Sequence, residues 1–95
     1  MIERHVTFEV YPEMGVEFIK FFIEEYRPAM AQMSGYINVE LLAEQDNLNS
    51  YLMVIRFQSA EDSAAWRSSA EHKTLSPKLK ALYKDSKVQV YKVIA

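Results

Sequence analysis

Apolar residues recur along the chain in two rhythms, and the change from one to the other marks the elements. Over residues 2–11, Val6, Phe8 and Val10 alternate with His5, Thr7, Glu9 and Tyr11, the period of two that a strand imposes. Pro12 and Glu13 then open a helix, since proline is tolerated in a first turn where its missing N–H has no partner to lose. Val16, Ile19, Phe22, Ile23, Tyr26, Met30 and Met33 follow at helical spacing, with Glu17, Lys20, Glu24 and Arg27 opposite them. One apolar stripe is therefore expected to face a core. Pro28, late and on the polar side, predicts a kink or the start of a second short segment. Ser34-Gly35 closes the helix, glycine suiting a left-handed C-terminal position.

Residues 36–44 and 50–58 read as two strands joined by the polar turn Gln45-Asp46-Asn47-Leu48-Asn49, a connection short enough to require an antiparallel hairpin. Ser59 with Asp62 three positions on is a capping-box pattern and predicts a helix over 60–67. Ser68 and Ser69 offer a second cap before Ala70-Glu71-His72. Ser76-Pro77 offers a third, followed by Leu79, Leu82 and Tyr83 in a short amphipathic turn or two. Residues 87–94, rich in valine, end the chain as a strand. The order β-α-β-β-α-β predicts a single α+β domain over residues 1–95 of ferredoxin-like type, a four-stranded antiparallel sheet with helices on one face.

The strands also predict a partner. In the third, Tyr51, Met53, Ile55 and Phe57 point one way, while Leu52 and Val54 point the other and only Arg56 interrupts them. In the last, Val88, Val90 and Ile94 oppose Tyr91 and Val93. A sheet with one wet face would alternate cleanly instead. The helices cover one face, so a second copy related by a two-fold axis is expected on the other, giving a homodimer whose two sheets close into a barrel.

Composition narrows the classes. The chain of 95 residues is 49% hydrophobic and 25% charged, as an ordered globular domain is. It has no cysteine, which excludes disulfide, thiolate and cysteine-zinc chemistry. A cytoplasmic location is expected, since a small secreted domain usually carries disulfides and MIERHVTFEV has charges where a leader needs an apolar run. No apolar run reaches the roughly 20 residues of a membrane span. The net charge is −2 and the basic residues are scattered, which argues against nucleic acid. The exception, Lys73, Lys78, Lys80, Lys84 and Lys87, reads as a solvated helix face. Two separated histidines give no usual metal-ligand spacing, so no metal is expected. Met14, Met30, Met33 and Met53 read as filler for irregular core gaps.

Three stretches resemble the antibiotic biosynthesis monooxygenase-like family of dimeric α+β barrels. They are Arg27-Pro28-Ala29-Met30 with Ser34-Gly35-Tyr36, then Phe57-Gln58-Ser59-Ala60-Glu61-Asp62, and Ala65-Trp66-Arg67-Ser68-Ser69-Ala70-Glu71-His72. The resemblance covers the whole order of elements. It implies a cleft between helices and sheet faced by the helix tryptophan, and a cofactor-independent monooxygenase acting on a small aromatic or quinol-type ligand. Two alternatives come with it. A haem-binding or haem-degrading protein would carry an asparagine near Thr7 and a histidine near Ser76, and this chain has neither. A non-catalytic dimeric binding module would need no reactive cluster at all.

Against that background the candidate site residues are few. Trp66, the only tryptophan, is either a core aromatic or the surface on which a ligand ring lies. His72, six residues on, has an ordinary pKa near neutrality and so suits a proton acceptor. On a continuous helix it falls about 1.7 turns away, off the face of Trp66, whereas a break at Ser68-Ser69 would let the two meet. His5 is the second candidate for proton transfer, or a structural histidine bonded to Tyr51, Tyr91 or a carboxylate. Arg56 and Glu40 are charges in apolar strands. They are expected either to pair or, for Arg56, to anchor a ligand anion. Asn38, Tyr36 and Tyr51 are candidate hydrogen-bonding groups.

Overall fold

Strand β1 (Ile2–Val10) runs at the centre of the sheet in the computed structural model, which describes residues 1–95. A 3₁₀ turn at Pro12–Met14 leads into helix α1 (Gly15–Phe21), a π turn (Phe22–Tyr26) and helix α2 (Arg27–Ala31). The hairpin β2 (Tyr36–Ala43) and β3 (Ser50–Phe57) follows, then helices α3 (Ala60–Arg67) and α4 (Ala70–Lys80) and strand β4 (Tyr83–Lys92). The sheet order is β2-β3-β1-β4 and every pair is antiparallel. This is the expected ferredoxin-like α+β arrangement, with the second helical segment divided in two.

The π turn is the structural answer to Pro28. In an α-helix the proline ring would strike the carbonyl four residues back. Here the Arg27 N–H reaches the Phe22 carbonyl five residues back, and the widened turn makes room. The same turn corrects the expected apolar stripe. Val16, Ile19 and Ile23 are 76%, 39% and 47% exposed, whereas Phe18, Phe22, Tyr26 and Met30 are buried. Strict spacing by four drifts around an α-helix by about 40° per step. The extra residue in the π turn takes up part of that drift and keeps the four side chains over the sheet.

Two further expectations are corrected. Ser76-Pro77 does not start a new helix: α4 is capped by Ser69 and passes through Pro77 without a break, with Ala81 N–H bonded to the Pro77 carbonyl at 3.2 Å. The proline frees only the carbonyl of Lys73, an exposed residue. The last strand begins at Tyr83, not at 87, because the Tyr83 ring packs edge-on against Phe8, 4.9 Å between centroids, and its backbone pairs with Val10.

Register sorts the sheet into two faces. Phe8, Val10, Val39, Tyr51, Met53, Ile55 and Phe57 lie under the helices and are buried. Met30 and Met53 fill that core, with Met14 and Met33 packed at its edge. The outer face carries Leu42, Leu52, Val54 and Tyr91, as an apolar second face requires. It also carries Glu3, His5, Thr7 and Glu9 from β1, and Asn38 and Glu40 from β2. It is thus mixed, not largely apolar. Val88 and Val90 lie on the helix side of β4, 45% and 56% exposed at the sheet edge. No helix is long and apolar enough to cross a membrane.

Candidate functional site

The site is made by the break between α3 and α4. The Ser59 hydroxyl caps α3 by accepting from the Asp62 N–H at 3.1 Å, which fixes where Trp66 falls. At the other end, the Ser69 hydroxyl donates to the Trp66 carbonyl at 2.7 Å and accepts from the His72 N–H at 3.1 Å. One side chain thereby ends one helix and caps the next. The chain turns between them, and residues that a continuous helix would separate come together. The His72 ring stands edge-on to the Trp66 indole, centroids 5.2 Å apart and planes at 82°. Tyr26, presented by the π turn, closes the group at 5.5 Å from Trp66 and 6.4 Å from His72.

These three rings line a cavity of about 140 Å³ between the helices and the sheet. Val6, Met53 and Ile55 form its floor, and Arg4 and Arg67 stand at its wall. Trp66 is 2% exposed and Tyr26 5%, so the rings that line the cavity are also part of the core. Burial pushes the His72 pKa below its ordinary 6.5, and the positive charges of Arg67, Arg4 and Lys80 push it the same way. Burial likewise pushes the Tyr26 phenol up to about 12, against the opposing pull of Trp66 and Arg4. The Arg4 guanidinium is lowered by burial and then by repulsion from Arg67. At neutral pH the cavity therefore holds a neutral imidazole, a protonated phenol and two cations.

Of the sequence candidates, Trp66 and His72 are brought together and the others lie elsewhere. His5, Arg56 and Asn38 occupy the outer sheet face. His5 bonds to Glu3 at 2.7 Å and lies against Tyr91, centroids 4.8 Å apart, with Tyr51 on the opposite face of the sheet. Arg56 pairs with Glu3, not Glu40: its Nε donates at 3.0 Å and its Nη2 also reaches Oε1. Those two partners, Arg56 first and His5 second, hold the Glu3 carboxyl below its ordinary range. Tyr51 is buried under the helices, 5.2 Å from Phe18, away from the cavity. Tyr36 packs edge-on against Phe57.

Tyr26, Arg4 and Arg67 belong to the cavity and were not singled out from the sequence. Arg4 shares the parity of Val6, Phe8 and Val10, so the alternation alone directs that charge inward. Tyr26 reads as one more apolar position in a helical stripe, and nothing local distinguishes it. A wider hollow of about 290 Å³ on the outer face, between Thr7, Glu9, Ser50, Asp85 and Lys87, has a polar wall in which Phe8 is the one apolar residue. No three His, Asp or Glu side chains gather closely enough to hold a metal ion.

Comparison with known proteins agrees with this architecture. Residues 1–78 match the family model described as antibiotic biosynthesis monooxygenase. None of the curated proteins matches the sequence significantly. Among solved structures, SnoaB of Streptomyces nogalater, described as a cofactor-independent oxygenase, superposes with a TM-score of 0.89 at 19% identity, over 99% of this chain and 93% of its own. A protein of Nitrosomonas europaea named for the same family gives 0.87 at 16% identity over 100% of both chains. A conserved protein of Methanosarcina mazei gives 0.87 at 18% identity, over 96% of this chain and 90% of its own. At these identities the likeness is one of fold.

Proposed function

Because the chain belongs to the antibiotic biosynthesis monooxygenase family, we propose that it is a cofactor-independent monooxygenase of small phenols or quinols, acting in the cavity beside Trp66. The observation that carries this reading is His72: a histidine kept neutral, its ring against the indole that would hold the substrate. A neutral imidazole accepts a proton, and the phenolate that results is more electron-rich than the phenol and gives an electron to O₂ more readily.

The chemistry balances without an external reductant. His72 takes the proton of a phenol, and the phenolate gives one electron to O₂. The two radicals combine at the ring carbon para to the oxygen, forming a peroxide there. The imidazolium protonates the outer oxygen of that peroxide. His72, neutral again, takes the hydrogen of that ring carbon as a proton while the O–O bond breaks, which leaves a quinone, and the departing hydroxide takes that proton from the imidazolium to become water. One phenol and one O₂ give one quinone and one water. Trp66 and Tyr26 pack the ring, and the protonated Tyr26 phenol is a hydrogen-bond donor for the developing oxyanion.

The haem reading finds no support at the residues. Thr7 lies on the outer sheet face, Ser76 has no ring nitrogen, and a cavity of about 140 Å³ is far smaller than a tetrapyrrole. The test of the oxygenase reading is O₂ uptake with a panel of single-ring phenols and quinols, followed by mass analysis of product formed under labelled O₂. Uptake with one labelled oxygen in the quinone, lost in His72→Ala, is expected. Absence of turnover above background across the panel would leave a binding module.

A further inference from the structure

The wall of the cavity has a charge pattern that proton removal alone does not explain. It carries two guanidinium groups and no carboxylate, in a chain whose net charge is −2. Neither guanidinium has a carboxylate within ion-pairing distance: the ion pairs of the fold are Glu3 with His5 and Arg56, Glu25 with Lys78, and Glu9 with Lys84. The Arg4 side chain makes no hydrogen bond within the chain, although it is half-buried, and that of Arg67 makes one, to the Ser63 hydroxyl at 2.7 Å. A half-buried cation with no counter-charge is costly unless something supplies one. The size of the space limits what that is. A cavity of about 150 Å³ in another protein takes up one benzene ring, and this one, about 140 Å³, has Val6, Tyr26, Met53, Ile55 and Trp66 around it.

We propose that this cavity is built for a single-ring aromatic carboxylate, its ring against Trp66 and its carboxylate held by Arg4 and Arg67. The planar guanidinium fork matches a carboxylate in two parallel hydrogen bonds. Arg4 comes from β1 and Arg67 from the end of α3, so the anion ties the sheet to the helix that carries the indole. The proposal rests on the cavity being the substrate site, and it adds a consequence. The bound anion offsets Arg4 and Arg67, two of the positive charges that disfavour protonation of His72, so the ligand itself makes His72 a stronger base. A hydroxybenzoate is then the class of substrate in which one group anchors and another loses the proton.

The test is calorimetric titration of the whole protein at low salt with benzoate, benzamide and phenyl phosphate, in the native chain and in Arg67→Gln and Arg4→Gln. Arg67 is an exposed helix-end residue, so Arg67→Gln keeps the fold, verified by its circular dichroism. Benzoate is expected to bind about tenfold or more tightly than benzamide. That ratio should fall severalfold in each variant, which keeps one of the two guanidinium groups. Benzoate, and not benzamide, should raise the His72 pKa followed by proton NMR. Equal affinity for benzoate and benzamide, an unchanged ratio in both variants, or tighter binding of phenyl phosphate would overturn the proposal. Its fate is separable from that of the oxygenase reading. Preference for benzoate without O₂ uptake on 3-hydroxybenzoate, whose carbon para to the hydroxyl carries a hydrogen, sinks the chemistry and keeps the anion site, and turnover of phenol without that preference does the reverse.

Discussion

The His72 ring lies edge-on to the Trp66 indole at 5.2 Å, although six positions separate them in a helical stretch. The contact exists because the Ser69 hydroxyl bonds both the Trp66 carbonyl and the His72 N–H. Removing that hydroxyl in Ser69→Ala deletes the cap of α4 and loosens the contact. The expected cost is about 1 kcal/mol, or a fall in melting temperature of roughly 4–8 °C for a domain of this size. Thermal unfolding measures it, and a loss of turnover larger than the loss of folded protein reports the displaced histidine.

With His72 as the proposed base, the pH dependence of turnover follows from its pKa. Its folded pKa lies below the ordinary 6.5, so the base form persists through neutrality, and the acid limb of kcat/KM should fall below pH 6.5. In the unfolded chain His72 takes a proton first, so the unfolded state binds more protons over that window. Stability is therefore fully present above pH 6.5 and is lost as the pH falls toward the folded pKa. Arg67→Gln removes one of the repelling charges and should raise the His72 pKa, read from its ring proton shift. His72→Ala should lower turnover by about 10²–10⁴-fold while leaving the melting curve nearly unchanged.

Gly35 is the one residue with positive φ, at 80°. A Cβ there would also run into the Asp62 carboxylate, which accepts from the Ser59 hydroxyl at 3.0 Å. Gly35→Ala thus strains the turn before β2 and displaces the start of α3. A loss of about 2 kcal/mol is expected, measured by urea unfolding.

The outer sheet face predicts self-association. Leu42 and Tyr91 are each 46% exposed, and Leu52 and Val54 lie half-buried between them. A second copy would cover this stripe, with Glu3, Arg56 and His5 at its margin. Sedimentation equilibrium at micromolar concentration is expected to give twice the chain mass of 11.1 kDa. Leu52→Glu should shift it to the monomer by burying a charge at the seam.

The network on that face supports a further prediction. Glu3→Gln leaves Arg56 without its anion and weakens the bond to His5. A loss of about 1 kcal/mol is expected, since the group is partly exposed. It should shrink below pH 4.5, where the unfolded chain's Glu3 is protonated and the advantage of its lowered pKa fades.

The sequence by itself determined the elements and their order, because strand alternation, helix caps and a short hairpin turn are local. Ser59, Ser69 and Gly35 act where their neighbours in the chain say they should. It also determined that Trp66 and His72 would meet if the chain broke between them, since the paired serines are a local stop and start. It did not determine which face of the helix before Pro28 would be buried. That depended on a π turn, formed because the ring of Pro28 and the packing of Phe18, Phe22, Tyr26 and Met30 on the sheet favour one extra residue in the turn. Nor did it place His5, Asn38, Arg56 and Tyr51, whose faces follow from strand register, a long-range pairing. Only the tertiary structure decided that Tyr26 from one helical segment, Arg4 from β1 and Arg67 from α3 share a wall with the Trp66–His72 pair. Those residues come from three separate segments of the chain, and no local pattern records that side chains so far apart in sequence face the same cavity.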